Sequence, residues 1–260
     1  MWTRYFPLAA YVRDVIKHGT IGSAHRVWAD MSVIAAPGGV WSGSNRLINR
    51  DLAGGSLLDL GVYALFWVFH AMSAAEMDIE HPAVSSAVRQ YQTGVDEQTT
   101  ILLSFRTAGK GQAAHAVAGT GFLTATDPDA AGSAGPAVRI QGSKGEIQVF
   151  PPCNRPEVTR VILSGSPTET KHWPLPGPGA GSGWYNGWGP RSGWNKEGEG
   201  HGMFWEADEC ADAIDSGCTE KAHESLRETL AIMRVMDMVR EQNGIIYPDA
   251  IETTEYPLSF

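Results

Sequence analysis

A carboxylate and a phenol lie four residues apart in the segment from Gly54 to Tyr63. If this segment is helical, Asp59 and Tyr63 share one face of the helix. A phenol can pass a proton to or from a carbonyl or an alkoxide, and a nearby carboxylate can orient it or change its acidity. The same spacing also fits a structural role, with Asp59 favoured near a helix N-terminus and Tyr63 packed in the core.

Two other groups of residues could contribute to a site. His201 is a second candidate for acid/base chemistry, because it directly precedes a predicted helix that carries Trp205. Trp184 and Trp188 belong to a glycine-rich segment, 174–200, whose composition predicts a long loop. Aromatic side chains on such a loop suit a flat substrate, although the loop could equally pack on an apolar surface. No His, Cys, Asp and Glu residues have the spacing of a zinc or iron site.

The hydrophobic periodicity predicts the elements that position these residues. Helical spacing predicts four helices, at 7–19, at 56–71, at 203–215 and from a capping box formed by Ser225 and Glu228. Alternating residues predict strands at 25–31, 84–91, 98–105, 112–118, 137–141, 146–150, 158–163 and 253–258. Because the strands follow one another in runs, we expect an α+β fold with a large, mostly antiparallel open sheet and helices on one face.

Composition narrows the class of protein. The 260 residues are 43% hydrophobic and carry a net charge of −9, which suits one large domain over 1–260 and disfavours a nucleic-acid partner. The longest apolar stretch, 60–69, is about half of what a membrane-spanning helix needs, so we expect no membrane partner. Three cysteines do not suggest a disulfide framework, and we therefore predict a cytoplasmic protein. The open face of the sheet needs a cover, which predicts a homodimer.

The segment from Gly54 to Tyr63 also resembles a known signature. It is similar to the GGxLLDxGxY motif of the Gfo/Idh/MocA oxidoreductase family, in the branch of the dimeric dihydrodiol dehydrogenases and NADP-dependent xylose dehydrogenases. Four more segments resemble that branch in the same order along the chain: WTRYFP at 2–7, GVDEQTT at 94–100, GSKG at 142–145 and GMFWEADE at 202–209. The resemblance spans nearly the whole sequence and implies the fold of the family's C-terminal half.

The resemblance also implies roles for individual residues. In the family, the tyrosine that matches Tyr63 is the proposed acid/base group, and the aspartate that matches Asp59 supports it. Arg4 would lie near the cleft for cofactor and substrate, although it could simply pair with an acid. The aromatic residues predicted to bind the substrate, which could alternatively belong to the core, are Trp2, Phe6, Trp184, Trp188, Phe204 and Trp205.

The nucleotide-binding half of that family has no counterpart in this sequence. Neither a strand–GxGxxG–helix unit nor a Glu-Lys-Pro triplet occurs, and the partial match at 109–114 continues into a predicted strand. We therefore expect no cofactor, and a cofactor-independent isomerase, dehydratase or cyclase that acts on a small, largely apolar carbonyl- or hydroxyl-bearing substrate. One alternative is the C-terminal portion of an NADP-dependent D-xylose or dihydrodiol dehydrogenase. Another is a non-catalytic binding protein that uses the sheet as a dimer interface.

Overall fold

Eight strands form one sheet among the described residues: β1 Ala24–Ser32, β2 Ala83–Gln90, β3 Asp96–Arg106, β4 Ala113–Gly121, β5 Val138–Gly142, β6 Gly145–Val149, β7 Val158–Leu163 and β8 Glu169–His172. They lie side by side in the order β2-β3-β4-β1-β5-β6-β7-β8. The computed structural model describes residues 1–35, 41, 45–107, 113–185, 197–218 and 226–255. β1 and β4 are parallel, and the other neighbouring strands are antiparallel, which confirms the mostly antiparallel sheet.

The core helix of this fold, α2 (Val62–Ala74), packs on β1, β4 and β5 in the middle of the sheet. Its side chains are apolar on nearly all sides, as expected for a helix enclosed by protein. The helical stretch Arg50–Ala74 is long and apolar enough to cross a membrane, but most of its apolar window is buried inside the fold. The helices are α1 Pro7–Lys17, α2 Val62–Ala74, α3 Phe204–Asp215, α4 Leu226–Gln242 and α5 Asp249–Glu252.

Two features of the described residues differ from the expectations. β8 was not predicted, and all four of its residues are exposed, so it shows no alternating pattern. The strand expected at 253–258 is wrong for its described part, because 253–255 is irregular and follows α5, whose first turn has Asp249 after Pro248. Glu228 pairs with Arg4, and because Ser225 lies outside the described residues, the capping box stays a prediction.

His70 makes the stability of the fold depend on pH. It is 4% exposed on α2, and its Nε2 lies 2.8 Å from the carbonyl oxygen of Ala9 on α1, so the neutral ring donates this bond. Burial lowers the pKa of His70 to about 4. The unfolded chain binds the proton from about pH 6.5 downwards, so the stability that depends on neutral His70 is complete above that pH and is lost towards pH 4.

We expect this loss to amount to roughly 3 kcal/mol between about pH 7 and about pH 4. Urea unfolding at several pH values measures it. In His70→Gln, which has no titrating ring, the free energy of unfolding should depend less on pH over the same range. Equal pH dependence in the two proteins would show that His70 does not carry the effect.

Candidate active site

Tyr63 occupies the first turn of α2, directly after a π-helical turn at Leu57–Gly61. Single π turns occur often at functional sites, and the helical spacing of the sequence did not reveal this one. The half-buried phenol oxygen accepts a hydrogen bond of 3.0 Å from the indole Nε1 of Trp2. Because an indole N–H can only donate, the proton of Tyr63 itself is directed elsewhere and can be passed to a substrate oxygen.

The environment of Tyr63 makes the phenol a weak acid. Burial raises the pKa of Tyr63, and the negative charge of Asp59 raises it further, while the hydrogen bond from Trp2 opposes the rise. The phenol is therefore protonated at neutral pH and can donate a proton to a carbonyl oxygen. Once ionised, it is a strong base that can accept the proton of a hydroxyl group.

Asp59 lies on the π turn and is held by a second residue. Arg46 Nη1 donates a hydrogen bond of 2.8 Å to Asp59 Oδ1. Arg46 is well exposed, so the pair adds little stability, but it fixes the carboxylate that acts on Tyr63 through its charge. The sequence did not single out Arg46, because it lies in an irregular polar stretch without a periodic pattern.

Trp2 connects the phenol to His201. The two rings stack with their centroids 5.1 Å apart and an angle of 26° between their planes. The Nδ1 of His201 is buried and has no hydrogen-bond partner among the described residues. Burial and the positive charge of Arg155 lower the pKa of His201, so the ring is neutral at neutral pH and can accept a proton. The structure thus brings together Trp2, Tyr63 and His201, which are 61 and 138 residues apart.

Two of the predicted substrate-binding residues lie below the surface. Phe6 is 1% exposed and packs edge-on between Trp2 and Trp205, with centroid distances of 5.4 and 4.7 Å. Arg4 is 6% exposed, and its Nη2 donates to Oε1 of Glu228 at 2.7 Å. The expectation that they contact the substrate is corrected, since Phe6 supports the ring of Trp2 and Arg4 pairs with an acid.

Trp205 is half-buried and Phe204 is 39% exposed at the start of α3, so Phe204 is more open than a core residue. Trp205 and Phe6 also line a cavity of about 280 Å³. Its other lining residues are all apolar: Pro7, Leu8, Pro156, Trp173, Pro174, Leu175 and Pro176. This cavity borders the aromatic residues that support Trp2 and does not include Tyr63, so the acid/base group lies outside it.

The glycine-rich segment returns on itself directly before His201. Backbone hydrogen bonds join its two described ends, with Gly179 N donating to Gly198 O at 3.0 Å and Gly198 N donating to Trp184 O at 2.9 Å. A Cβ atom at position 198 would lie 1.9 Å from Gly179 O, so this close approach requires glycine. Trp184 is 42% exposed, and Trp188 lies outside the described residues.

This sheet, with Tyr63 on its core helix, belongs to a known class of domain. Residues 9–148, more than half of the chain, match the GFO/IDH/MocA C-terminal domain family. The chain is a member of this family, as the resemblance of its motifs implied.

Two relatives with named activities match nearly the whole chain. The chain is 40% identical over 262 residues to a D-xylose 1-dehydrogenase (NADP(+)) of Hypocrea jecorina, covering 98% of this chain and 62% of the relative. It is 28% identical over 251 residues to a trans-1,2-dihydrobenzene-1,2-diol dehydrogenase of Sus scrofa, covering 95% and 62%. The chain thus spans about 62% of the length of these relatives.

A solved structure shows the same fold. An aldose-aldose oxidoreductase from Caulobacter crescentus, complexed with glycerol, aligns with a TM-score of 0.63 over 94% of this chain and 60% of the other. The two sequences are 17% identical, a level that supports the likeness in fold alone.

These relatives overturn two expectations. They are oxidoreductases, and the one from Hypocrea jecorina is NADP-dependent by name, so the expectation of a cofactor-independent isomerase, dehydratase or cyclase is wrong. The expectation of no cofactor is wrong for the same reason, because a dehydrogenase requires a hydride acceptor. The chain belongs to a family of enzymes, and the comparisons support the dehydrogenase alternative.

Proposed function

We propose that the chain provides the substrate side of an NADP-dependent dehydrogenase that oxidises a hydroxyl group of an aldose or a dihydrodiol. The observation that carries this proposal is the hydrogen bond from Trp2 to the oxygen of Tyr63, which leaves the proton of the phenol free for transfer. Ionised Tyr63 accepts the hydroxyl proton of the substrate, and the indole N–H of Trp2 stabilises the phenolate. NADP⁺ bound beside this site would supply the acceptor for the hydride.

The described residues do not fit the pyrophosphate of this cofactor. Phosphates bind at the N-terminus of a helix that follows a glycine-rich turn. Gly54 and Gly55 form such a turn, but the carboxylate of Asp96 already accepts the backbone N–H of Leu57 there. NADP is therefore held by a nucleotide-binding unit other than the described residues, and Tyr63 serves the reacting end.

Two apolar helix faces suit the docking of that unit. No residue of α3 is buried, and its outward stripe includes Phe204 and Ile214, which is 80% exposed. On α4, Leu226, Leu230 and Met233 recur at helical spacing and are 44–67% exposed. Apolar stripes on solvent-facing helices are typical of interfaces, and the longer relatives have the additional length for such a unit.

The experiment fuses this chain to the part of the Hypocrea jecorina enzyme that it does not match. Reduction of NADP⁺, followed at 340 nm, compares D-xylose with trans-1,2-dihydrobenzene-1,2-diol. We expect turnover of one of the two. A fusion that is folded and binds NADP⁺ but oxidises neither diol nor aldose would contradict the proposal, and would favour a non-catalytic binding protein.

A second copy of the chain is the partner that the open face of the sheet suits best. The strand registers place Leu102, Val117 and Trp28 in one row across β3, β4 and β1. Leu102 is 50% and Trp28 is 45% exposed, so the centre of this face is apolar. Arg139 continues the row and forms an ion pair with Glu146, which gives the apolar centre a charged edge. An apolar centre with a polar rim is typical of a symmetric dimer interface.

Trp28→Glu should convert the dimer into a monomer, because it places a charge at the centre of this interface. Sedimentation velocity at micromolar concentration measures the change. Leu52→Glu is the matched control, since Leu52 is 62% exposed and lies outside the sheet. A monomeric wild-type protein, or a Trp28→Glu variant that remains dimeric, would contradict the proposed interface.

The cysteines support a cytoplasmic location for the protein. Cys153, Cys210 and Cys218 are all free, and two of them are exposed. Exposed free thiols are typical of a reducing compartment. Fractionation of cells that express a tagged protein tests this part of the proposal.

A further inference from the structure

A buried carboxylate that the proposed chemistry does not use lies at the start of the helix that carries Tyr63. Asp96, the first residue of β3, is 0% exposed. Its Oδ2 accepts hydrogen bonds from Ser56 Oγ at 2.7 Å, from the backbone N of Leu57 at 2.6 Å and from Thr99 Oγ1 at 3.1 Å. Asp96 lies on β3, 39 residues after Leu57, and caps the π turn from there. It satisfies a backbone donor that a helix start leaves unpaired.

The turn before this helix is fixed from both sides. Gly55 has a φ of +122°, and a Cβ atom there would lie 2.2 Å from Oδ1 of Asp96, so the backbone rests directly on the carboxylate. Tyr247, 3% exposed, donates a hydrogen bond of 2.7 Å from its hydroxyl to Gly54 O. The two residues thus hold the same turn at two points, Tyr247 at the carbonyl of Gly54 and Asp96 at the N–H of Leu57.

We propose that Asp96 and Tyr247 are positioning residues, which fix the Gly54–Gly55 turn so that the π turn directs the hydroxyl of Tyr63 at Trp2. Tyr63 follows Leu57 by six residues on a rigid helical path, so a shift of the capped end moves the phenol. The acid/base consequence rests on the proposed function. The geometric part concerns the hydrogen bond between Trp2 and Tyr63 and stands independently of any activity.

Indole N–H exchange in the full chain, followed by ¹⁵N NMR, tests the geometric part directly. The signal of Trp2 reports the bond to Tyr63 and is assigned by its loss in Trp2→Phe. The signal of Trp67, whose Nε1 donates to Cys153 O at 2.7 Å in the core, reports that the fold is intact. In Asp96→Asn we expect exchange at Trp2 to accelerate by about tenfold or more while Trp67 remains protected.

Asp127→Asn is the matched control, because Asp127 is also buried and accepts a backbone N–H, that of Gly132. It should leave both indole signals unchanged. If Asp96→Asn does not fold, Tyr247→Phe decides the same question, since it removes only the hydroxyl that binds Gly54 O. Protected Trp67 together with unchanged exchange at Trp2 in the folded variant would overturn the proposal.

Kinetics of the fused enzyme then separate the two proposals. We expect kcat of Asp96→Asn to fall by about 10- to 100-fold with little change in KM, because a small displacement of an acid/base group affects the reaction step. If wild-type fusion is inactive, the proposed function fails, while the exchange at Trp2 still decides the role of Asp96. An active fusion whose Asp96→Asn variant keeps the wild-type kcat would overturn the positioning role.

Discussion

Replacing Tyr63 by phenylalanine is expected to lower kcat of the fused enzyme by about 10²- to 10⁴-fold, the usual contribution of a general acid/base group. The change removes only the hydroxyl that accepts the indole N–H of Trp2. The ring remains between its neighbours, so KM should change little. Steady-state measurement of NADPH formation at saturating substrate gives both constants.

The pH profile distinguishes proton transfer from a packing defect. The pKa of Tyr63 is raised, chiefly by burial, so the oxidation rate of the wild type should rise with pH as the phenolate forms. Tyr63→Phe should lose this dependence. Tyr11→Phe is the control, because it removes a hydroxyl that lies on α1 beside Glu169 of β8. This variant should keep the wild-type rate and pH profile. Equal kcat for the Tyr63 variant and the wild type would exclude the proton-transfer role.

Glu228→Ala is expected to cause the largest loss of stability, about 3–5 kcal/mol in the free energy of unfolding. Glu228 and Arg4 form a buried ion pair, with 7% and 4% of their side chains exposed. The variant would leave the guanidinium buried without this carboxylate. Because Arg4 shares its short helix with Trp2, the same change should weaken the bond between Trp2 and Tyr63. Urea unfolding at neutral pH measures the loss.

Two controls define the origin of that loss. Burial raises the pKa of Glu228 against the opposing charge of Arg4, so desolvation outweighs the attraction within the pair. The double replacement Arg4→Met with Glu228→Leu should therefore cost less than Glu228→Ala alone. Glu80→Ala breaks the exposed pair with Arg227 and should cost about 1 kcal/mol or less. A loss of that small size for Glu228→Ala would contradict a structural role of the buried pair.

The sequence predicted most of the sheet and the core helix, because period-two and helical patterns reflect burial on one or all sides. Seven of the predicted strands overlap β1 to β7, and the helix with Tyr63 lies where its spacing placed it. β8 escaped detection since none of its residues is buried. The alternation of residue types in a sequence reflects contact of side chains with the core and not hydrogen bonding between strands. A strand without buried residues therefore leaves no such pattern.

The site could be predicted only where its residues belonged to a motif. Asp59, Tyr63 and Trp2 were found in this way, whereas the contacts of Arg4 with Glu228 and of Asp96 with Leu57 join residues 224 and 39 positions apart. No local pattern encodes such pairs, because only the fold brings them together. The error about the cofactor has a different cause, since it rested on a missing motif, whereas the relatives that the chain matches are oxidoreductases and one is NADP-dependent by name.

The proposed NADP-dependent dehydrogenase activity depends on Tyr63. The most direct test gives the fused enzyme the substrate that it turns over, D-xylose or trans-1,2-dihydrobenzene-1,2-diol, deuterated at the carbon that is oxidised, and measures deuterium in NADPH by mass spectrometry. We predict that deuterium appears in NADPH with the wild-type sequence and is nearly abolished by Tyr63→Phe. NADPH without deuterium, or equal transfer by both proteins, would contradict the claim.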